Sequence, residues 1–174
     1  MNLRLIFMGL ALTTGLLFSG CSDDDDNCVQ DYSGTLTASE TLLVGEWNLT
    51  AMTSSKAVDL TDDDVENPST DIYAQYTDCQ KDAGYIFSED RGYTFNQGTK
   101  VANCENKSVT NGTWQYTGNQ INFVATCTVL SLPITFTNAN NSFQSISQKL
   151  LIQDVSGQVV EADVTFVYTK ATAG

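Results

Sequence analysis

From Val44 onward, short apolar runs alternate with clusters of turn residues, which is the pattern of β-strands. The clearest run is 159–169, where apolar residues stand at every second position and most residues between them are polar. A period of two indicates a strand that buries one face. The apolar set of this run consists of Val160, Ala162, Val164, Phe166 and Tyr168.

The same pattern predicts eight strands, and most gaps between them have the length of a hairpin turn. Gly118 with Asn119, and Gly157, stand in two of these gaps, where a positive φ is readily adopted. Pro133 lies inside the sixth run, so that strand is expected at an edge or a bulge. The predicted strands are about 45–53, 83–88, 92–96, 111–117, 119–126, 130–138, 143–154 and 158–169.

Successive antiparallel hairpins of this number favour an all-β up-and-down barrel, because closure removes both unpaired edges. The one long connection is 56–81, between the first and second strands. It holds an acidic loop at 59–66, followed by Ile72, Tyr73 and Tyr76, which would share one face of a short helix. We therefore predict an eight-stranded antiparallel barrel with one short helix between its first and second strands.

Residues 1–20 have a basic start, an apolar run and small residues at the end. This arrangement is typical of a secretory signal peptide and is too short for a membrane-spanning helix. The end of the leader, Leu17-Phe18-Ser19-Gly20-Cys21, resembles the lipobox of bacterial lipoproteins. The resemblance implies cleavage after Gly20 and a Cys21 that carries diacylglycerol and a fatty acyl group such as palmitate. Several acyl chains on one residue give stable membrane anchoring.

Residues 22–27, Ser-Asp-Asp-Asp-Asp-Asn, contain no apolar side chain and predict a solvated tether. An acidic run directly after the lipidated cysteine resembles the surface-export signal of Bacteroidetes lipoproteins. It implies an outer-membrane protein that faces the cell surface, with the periplasmic leaflet as the alternative. Residues 28–42 are small and polar and are interpreted as the rest of the flexible linker. The predicted divisions are the signal peptide 1–20, the lipidated tether 21–42 and the barrel domain 43–174.

Two Gly-x-Trp sequences resemble the opening-strand signature of lipocalins. They are Gly45-Glu46-Trp47 and Gly112-Thr113-Trp114. With Cys79-Gln80-Lys81-Asp82 and Cys104, they make residues 42–126 similar to the lipocalin-like lipoproteins of Bacteroidetes. This resemblance implies a lipocalin-like barrel and a Cys79–Cys104 disulfide.

The resemblance also implies a role for the first tryptophan. In lipocalins it closes one end of the barrel and packs near an arginine of the last strand, and here the last strand offers Lys170. The leader sends the cysteines to an oxidising compartment, and with Cys21 acylated the other four allow three pairings. Cys28 and Cys127 either form a second disulfide or remain free thiols.

The charge balance narrows the classes of function. Acidic residues outnumber basic ones 21 to 8, which gives a formal charge of −13 and excludes binding to nucleic acid. The chain has no histidine, so it lacks the usual general base and the commonest metal ligand. We predict no enzymatic activity and no cofactor. The densest acidic group is a solvated loop or a weak calcium site without EF-hand spacing; it consists of Asp62, Asp63, Asp64 and Glu66.

An eight-stranded barrel is just wide enough to be filled by its own side chains or to hold one small molecule. We expect an aromatic interior that binds a small apolar ligand. The alternative is a non-catalytic structural or interaction lipoprotein, an accessory subunit or adhesin, with a filled barrel and a contact at 59–66 or at Tyr73 and Tyr76. The predicted interior residues are Trp47, Tyr85, Phe87, Tyr93, Phe95, Trp114, Tyr116, Phe123, Phe136, Phe166 and Tyr168.

Overall fold

The computed structural model describes residues 28–172. The predictions for the leader 1–20, for lipidation of Cys21 and for the acidic run 22–27 therefore lie outside the described residues. Among residues 28–172, every helix is too short to cross a membrane.

Nearly all regular structure in this range is antiparallel β-sheet, as the alternating pattern predicts. The three helices are single turns: α1 Ala38–Thr41, α2 Ile72–Gln75 and α3 Asp78–Lys81. The strands are β1 Gly45–Val58, β2 Ser69–Asp71, β3 Ala83–Phe87, β4 Gly92–Gln97, β5 Ser108–Thr117, β6 Gln120–Ala125, β7 Thr128–Pro133, β8 Thr135–Thr137, β9 Ser142–Gln153 and β10 Val159–Lys170.

Nine strands form one curled antiparallel sheet in the order β7-β6-β5-β4-β3-β1-β10-β9-β8, and β2 pairs with β1 beside this path. The predicted count of eight strands is wrong for two reasons. The predicted strand 130–138 is divided at Ile134 into β7 and β8. The predicted long loop 56–81 contains β2, because β1 continues past residue 53 to Val58 and its far half gains a partner.

The predicted position of the helix also needs correction. Helix α2 forms where the apolar face of Ile72, Tyr73 and Tyr76 predicted it, but β2 precedes it and α3 follows it. Asp71 caps α2 by accepting a hydrogen bond from the Ala74 N–H at 3.0 Å. Ile72 is fully buried, so this short turn covers the end of the sheet at which β1 ends.

The interpretation of residues 28–42 as flexible linker is wrong. The Tyr32 N–H donates to the Thr113 hydroxyl at 3.0 Å, and α1 begins with a capping box in which Thr37 and Glu40 satisfy each other's backbone N–H groups. Leu43 is fully buried. Leu36 of this segment also packs against the main core cluster, whereas most other side chains of residues 28–42 are exposed to water.

The pairing of β9 with β10 contains one irregularity. In β9 and β10 the register shifts between Ala162 and Val164, so that Asp163 lies opposite both Gln148 and Lys149. Lys149 has a positive φ of 55°, and its N–H donates to the Asp163 carboxylate at 3.0 Å. This is a β-bulge, which adds one residue to β9 and bends it.

Candidate functional site

One end of the curled sheet, which we call the closed end, is built around Trp47. Its indole N–H donates to the Leu43 carbonyl at 2.6 Å, and the ring is fully buried. The Lys170 ammonium lies 5.4 Å from the centre of the indole and donates to the Leu42 carbonyl at 2.9 Å. A cation over a tryptophan face is attracted by the ring quadrupole, so Lys170 holds the last strand against the first.

A buried ion pair completes the closed end. Arg91 donates from both terminal nitrogens to Glu40, at 2.7 and 3.0 Å, and the two residues are only 4% and 1% exposed. The remaining Arg91 donors reach the carbonyls of Gly34, Thr35 and Trp114. Every polar atom of this fork has a partner, which is the condition for a charge to be stable inside a protein.

The pKa of Glu40 follows from these contacts. Burial alone would raise it, but hydrogen bonds from Arg91, Thr37 and the Tyr116 N–H outweigh burial and lower the pKa to about 2. Neither Glu40 nor Arg91 is predicted as a site residue from the sequence. The available signal was the spacing Thr37-x-x-Glu40 directly before Leu42 and Leu43, which is typical of a capped helix start.

The eleven aromatic residues predicted for the interior lie together in the structure, and many of their rings contact one another. All eleven residues of that set belong to the main core cluster or pack against it. Tyr85 is central: its ring centre lies 4.8 Å from that of Phe95, 5.1 Å from that of Tyr168 and 5.6 Å from that of Phe123. Phe123 in turn lies 4.6 Å from Tyr93. Such offset and tilted pairs are favourable in cores, so the rings stabilise one another.

Three phenols of this interior, those of Tyr85, Tyr93 and Tyr168, have a raised pKa and remain neutral at physiological pH. Burial raises the pKa of Tyr168 to about 12 and raises the pKa of Tyr85 further. Burial also raises the pKa of Tyr93. A group that loses its proton only in strong alkali cannot act as a base near neutrality. The interior therefore presents neutral, mutually packed rings.

Three concavities open on the outside of the sheet, and none is lined by any of the eleven aromatic residues. The first, about 450 Å3, lies between the acidic loop and the tip of the β9–β10 hairpin. The second, about 470 Å3, lies between the β7–β8 junction and β9. The third, about 430 Å3, separates the segment after β1 and helices α2 and α3 from the end of β9.

The carboxylates of the acidic loop organise the loop itself. Asp59 accepts from the N–H groups of Asn67 at 3.0 Å and Thr61 at 3.2 Å, and the Asn67 contact lowers its pKa despite burial. Asp63 accepts from the Val65 N–H at 3.0 Å. Within residues 28–172, no three acidic or cysteine side chains are placed to hold a metal ion, and this covers the calcium candidates Asp62, Asp63, Asp64 and Glu66.

Two disulfides fix the loops of the domain. Cys79 is bonded to Cys104, the pair implied by the family resemblance, and joins α3 to the segment after β4. Cys28 is bonded to Cys127 in the β6–β7 turn, which decides between the two alternatives for these residues. The second bond attaches the start of the described chain beside the first residue of β7.

The stretch 128–137 joins the two sides of the curled sheet only in part, and Pro133 explains why. Its β7 part pairs with β6, and its β8 part pairs with the start of β9 through Thr135 and Gln144. Continuing that register would set Pro133 opposite Ile146, but proline has no N–H to donate. The two strands separate there, and the second concavity lies at their point of separation. We call the region between β7 and β9 the open side. The expectation of an edge at Pro133 is confirmed.

Side-chain burial on the open side departs from the prediction of a closed wall. Leu130 is paired with Phe123 in the ladder and lies on the same face, yet it is 64% exposed while Phe123 is 2% exposed. The inner face of β7 therefore opens to solvent at this point.

A comparison with known protein families gives a match over nearly the whole chain. The model of a domain of unknown function, DUF5004, matches residues 21–171. No curated protein matches the chain. Since the matched range includes every strand of the curled sheet, the chain belongs to the DUF5004 family.

Proposed function

We propose that the protein is a non-catalytic lipoprotein, anchored in the outer membrane through Cys21 and facing the cell surface, that works by binding another protein on its outside. The observation that carries this proposal is the packing of the eleven aromatic rings against one another. A small apolar ligand would need the space that these rings occupy. Exposed apolar residues are instead found on the outside and along the open side.

We further propose that the curled sheet is a lipocalin-like barrel. The first long strand begins with a Gly-x-Trp sequence, whose Trp47 is buried at the closed end. The cation of Lys170 lies over its ring, at the place where lipocalins carry an arginine of the last strand. The antiparallel order of the strands is compatible with an up-and-down arrangement. These features support the resemblance to the lipocalin-like lipoproteins of Bacteroidetes.

The ionisable groups with shifted pKa values support a non-catalytic role. Active sites typically place such groups in a cleft where a substrate can reach them. Here Glu40 is bonded to Arg91, Asp59 holds its own loop, and Tyr85 and Tyr168 lie among the aromatic rings. Each of these four shifts has a structural cause that needs neither a substrate nor a cofactor.

Native mass spectrometry of the full-length protein, extracted from its own membranes in mild detergent, tests the filled interior. We expect a mass that corresponds to the chain from Cys21, its acyl groups and two disulfides. A stoichiometric apolar molecule that leaves only on unfolding would overturn the proposal in favour of a ligand carrier. The Cys21→Ser variant tests the anchor in the same preparation: it should leave the membrane fraction, and continued membrane association would refute lipid attachment at Cys21.

A further inference from the structure

The free edge of β9 on the open side has backbone groups that no strand of the described chain pairs with. Only the first part of β9, up to Gln144, has β8 beside it, so residues 145–153 have β10 on one side and no strand on the other. An exposed edge of this kind presents a row of N–H and C=O groups to any other extended chain.

The register shows which residues point to the free edge. The Lys170 N–H donates to the Asn141 carbonyl at 2.9 Å, and hydrogen-bonding residues of an antiparallel strand alternate in direction from such a pair. Phe143, Ser145 and Ser147 therefore face β10, and Ile146 and Gln148 direct their N–H and C=O groups outward. Beyond the bulge, the Asp154 N–H bonds to the Gln158 carbonyl at 2.9 Å. The same alternation then leaves Leu151 and Gln153 pointing outward.

The facing edge of β7 is free in the same way. The Ile134 N–H donates to the Asn119 carbonyl at 2.9 Å, so alternate residues of β7 face β6. Val129 and Ser131 direct their backbone groups toward β9, and Pro133 ends the row. Two free edges thus converge on the second concavity, whose lining includes Ile134, Gln144, Ile146 and Gln148.

The side chains along these edges are largely apolar and exposed. Ile146 is 51% exposed and Leu151 is 71% exposed, and Val129 and Leu130 on β7 are exposed as well. Edge strands usually avoid such exposure with charges or proline. Here the charged or proline residues of these two edges are Lys149 in β9 and Pro133 in β7, and several neighbouring exposed side chains are apolar.

We propose that the open side binds an extended segment of another protein, which adds a strand to the free edge of β9 and has apolar side chains at alternate positions with lysine or arginine at its ends. Strand addition takes its affinity from backbone hydrogen bonds and its specificity from alternate side chains. The basic ends follow from charge complementarity. Glu161 pairs with Leu151 on the neighbouring strand, Asp163 lies beside Lys149, and the whole chain carries −13.

Two other occupants fit less well. A second copy of this chain would bring together two proteins of charge −13, which repel each other. Residues 22–27, which precede Cys28 in the sequence, are Ser, Asp and Asn and supply no apolar side chain. A segment of a different protein that has basic ends and apolar side chains at alternate positions would complement the negative charge of this chain and pair with the backbone groups of its free edge. This inference rests on the proposed function as a binding protein and names its surface and its class of partner.

The test uses full-length protein in nanodiscs and a fluorescent nonapeptide, Lys-Val-Thr-Val-Ser-Val-Thr-Val-Lys, with binding followed by fluorescence anisotropy. We expect saturable binding that Gln148→Pro weakens about tenfold or more, because proline removes an outward N–H of the free edge. Proline is tolerated at an edge or bulge position whose N–H faces solvent. An unchanged urea midpoint verifies that this variant is folded, and Gln148→Ala should bind like the wild type.

A second peptide, N-methylated at alternate residues, keeps the side chains and loses the backbone donors. It should bind at least tenfold more weakly than the parent peptide. Equal binding of both peptides, no binding of either, or full binding by a folded Gln148→Pro variant would each overturn the proposal. So would a concentration-dependent dimer that Gln148→Pro dissolves, since it would assign the edge to a second copy. None of these outcomes places a ligand among the interior aromatic rings. Failure of the strand-addition proposal can therefore be told apart from failure of the proposed function, which native mass spectrometry tests.

Discussion

The closed end and the open side are made of similar apolar strands, but their polar groups are satisfied in different ways. At the closed end, the five-donor guanidinium of Arg91 finds Glu40 and backbone carbonyls, and the Trp47 indole N–H finds the Leu43 carbonyl. On the open side, the outward backbone groups of Ile146 and Gln148 have no strand beside them. The satisfied polar groups of the closed end stabilise the fold, whereas the unpaired groups of the open side form the surface that we propose for binding.

The largest expected effect comes from breaking the closed end at Arg91. Arg91→Met leaves the Glu40 carboxylate buried without its cation, and removing one partner of a buried ion pair costs about 3–5 kcal/mol. Lys100→Met is the matched control, because its pair with Glu46 is exposed and is worth less than about 1 kcal/mol. Urea unfolding at pH 7 measures both. Similar losses of unfolding free energy in the two variants would show that the buried ion pair contributes no more to stability than the exposed one.

Lowering the pH should also break the ion pair of Glu40 and Arg91, reversibly and with a smaller loss of stability. The pKa of Glu40 is about 2 in the folded protein and 4.5 as its ordinary value. A lowered pKa means that the folded state favours the ionised carboxylate, so its stabilisation is complete above pH 4.5 and is lost as the pH falls toward 2. We expect this loss to be about 3 kcal/mol.

Urea titrations between pH 2 and pH 7 measure this loss against a variant. Glu40→Gln should be less stable at neutral pH and should lose less stability on acidification than the wild type. Parallel pH profiles for the two proteins would contradict the assignment to Glu40.

The smallest effect is expected on the open side, at the ladder pair of Phe123 and Leu130. Leu130→Ala should change the free energy of unfolding by less than about 1 kcal/mol, because the side chain is mostly exposed. Phe123→Ala removes a buried ring from the same face and should cost about 3–5 kcal/mol. Comparable losses would mean that β7 is closed against β9 in solution, which would remove the free edge.

The sequence predicts the strands well where burial alternates, as in 159–169, because one buried face imposes a period of two. It also locates the interruption at Pro133, since a missing N–H is a local property of the residue. Strand β2 is too short to show a period, and the division of the predicted strand 130–138 into β7 and β8 depends on their different partners in space. The sequence predicts least well the hydrogen bonds and ion pairs between residues that lie far apart along the chain.

The ion pair of the closed end is such a case. Glu40 and Arg91 lie in a polar segment and a turn, and their burial depends on the carbonyls of Gly34, Thr35 and Trp114. The eleven interior aromatic residues, in contrast, follow from the alternation alone. What the alternation leaves undecided is whether they enclose a space or fill it, because that depends on how the rings of different strands meet.

The bond between Cys28 and Cys127 sets the reach of the N-terminal arm. With the bond intact, Cys28, the first described residue, is held at the β6–β7 turn, next to the open side. After reduction, the first remaining attachment is Asp31, whose carboxylate accepts from the Thr113 hydroxyl at 3.1 Å. Residues 28–30 would then add about 10 Å of extended chain. Thiol chemistry at one site can thus adjust how far the domain stands from whatever holds its N-terminus.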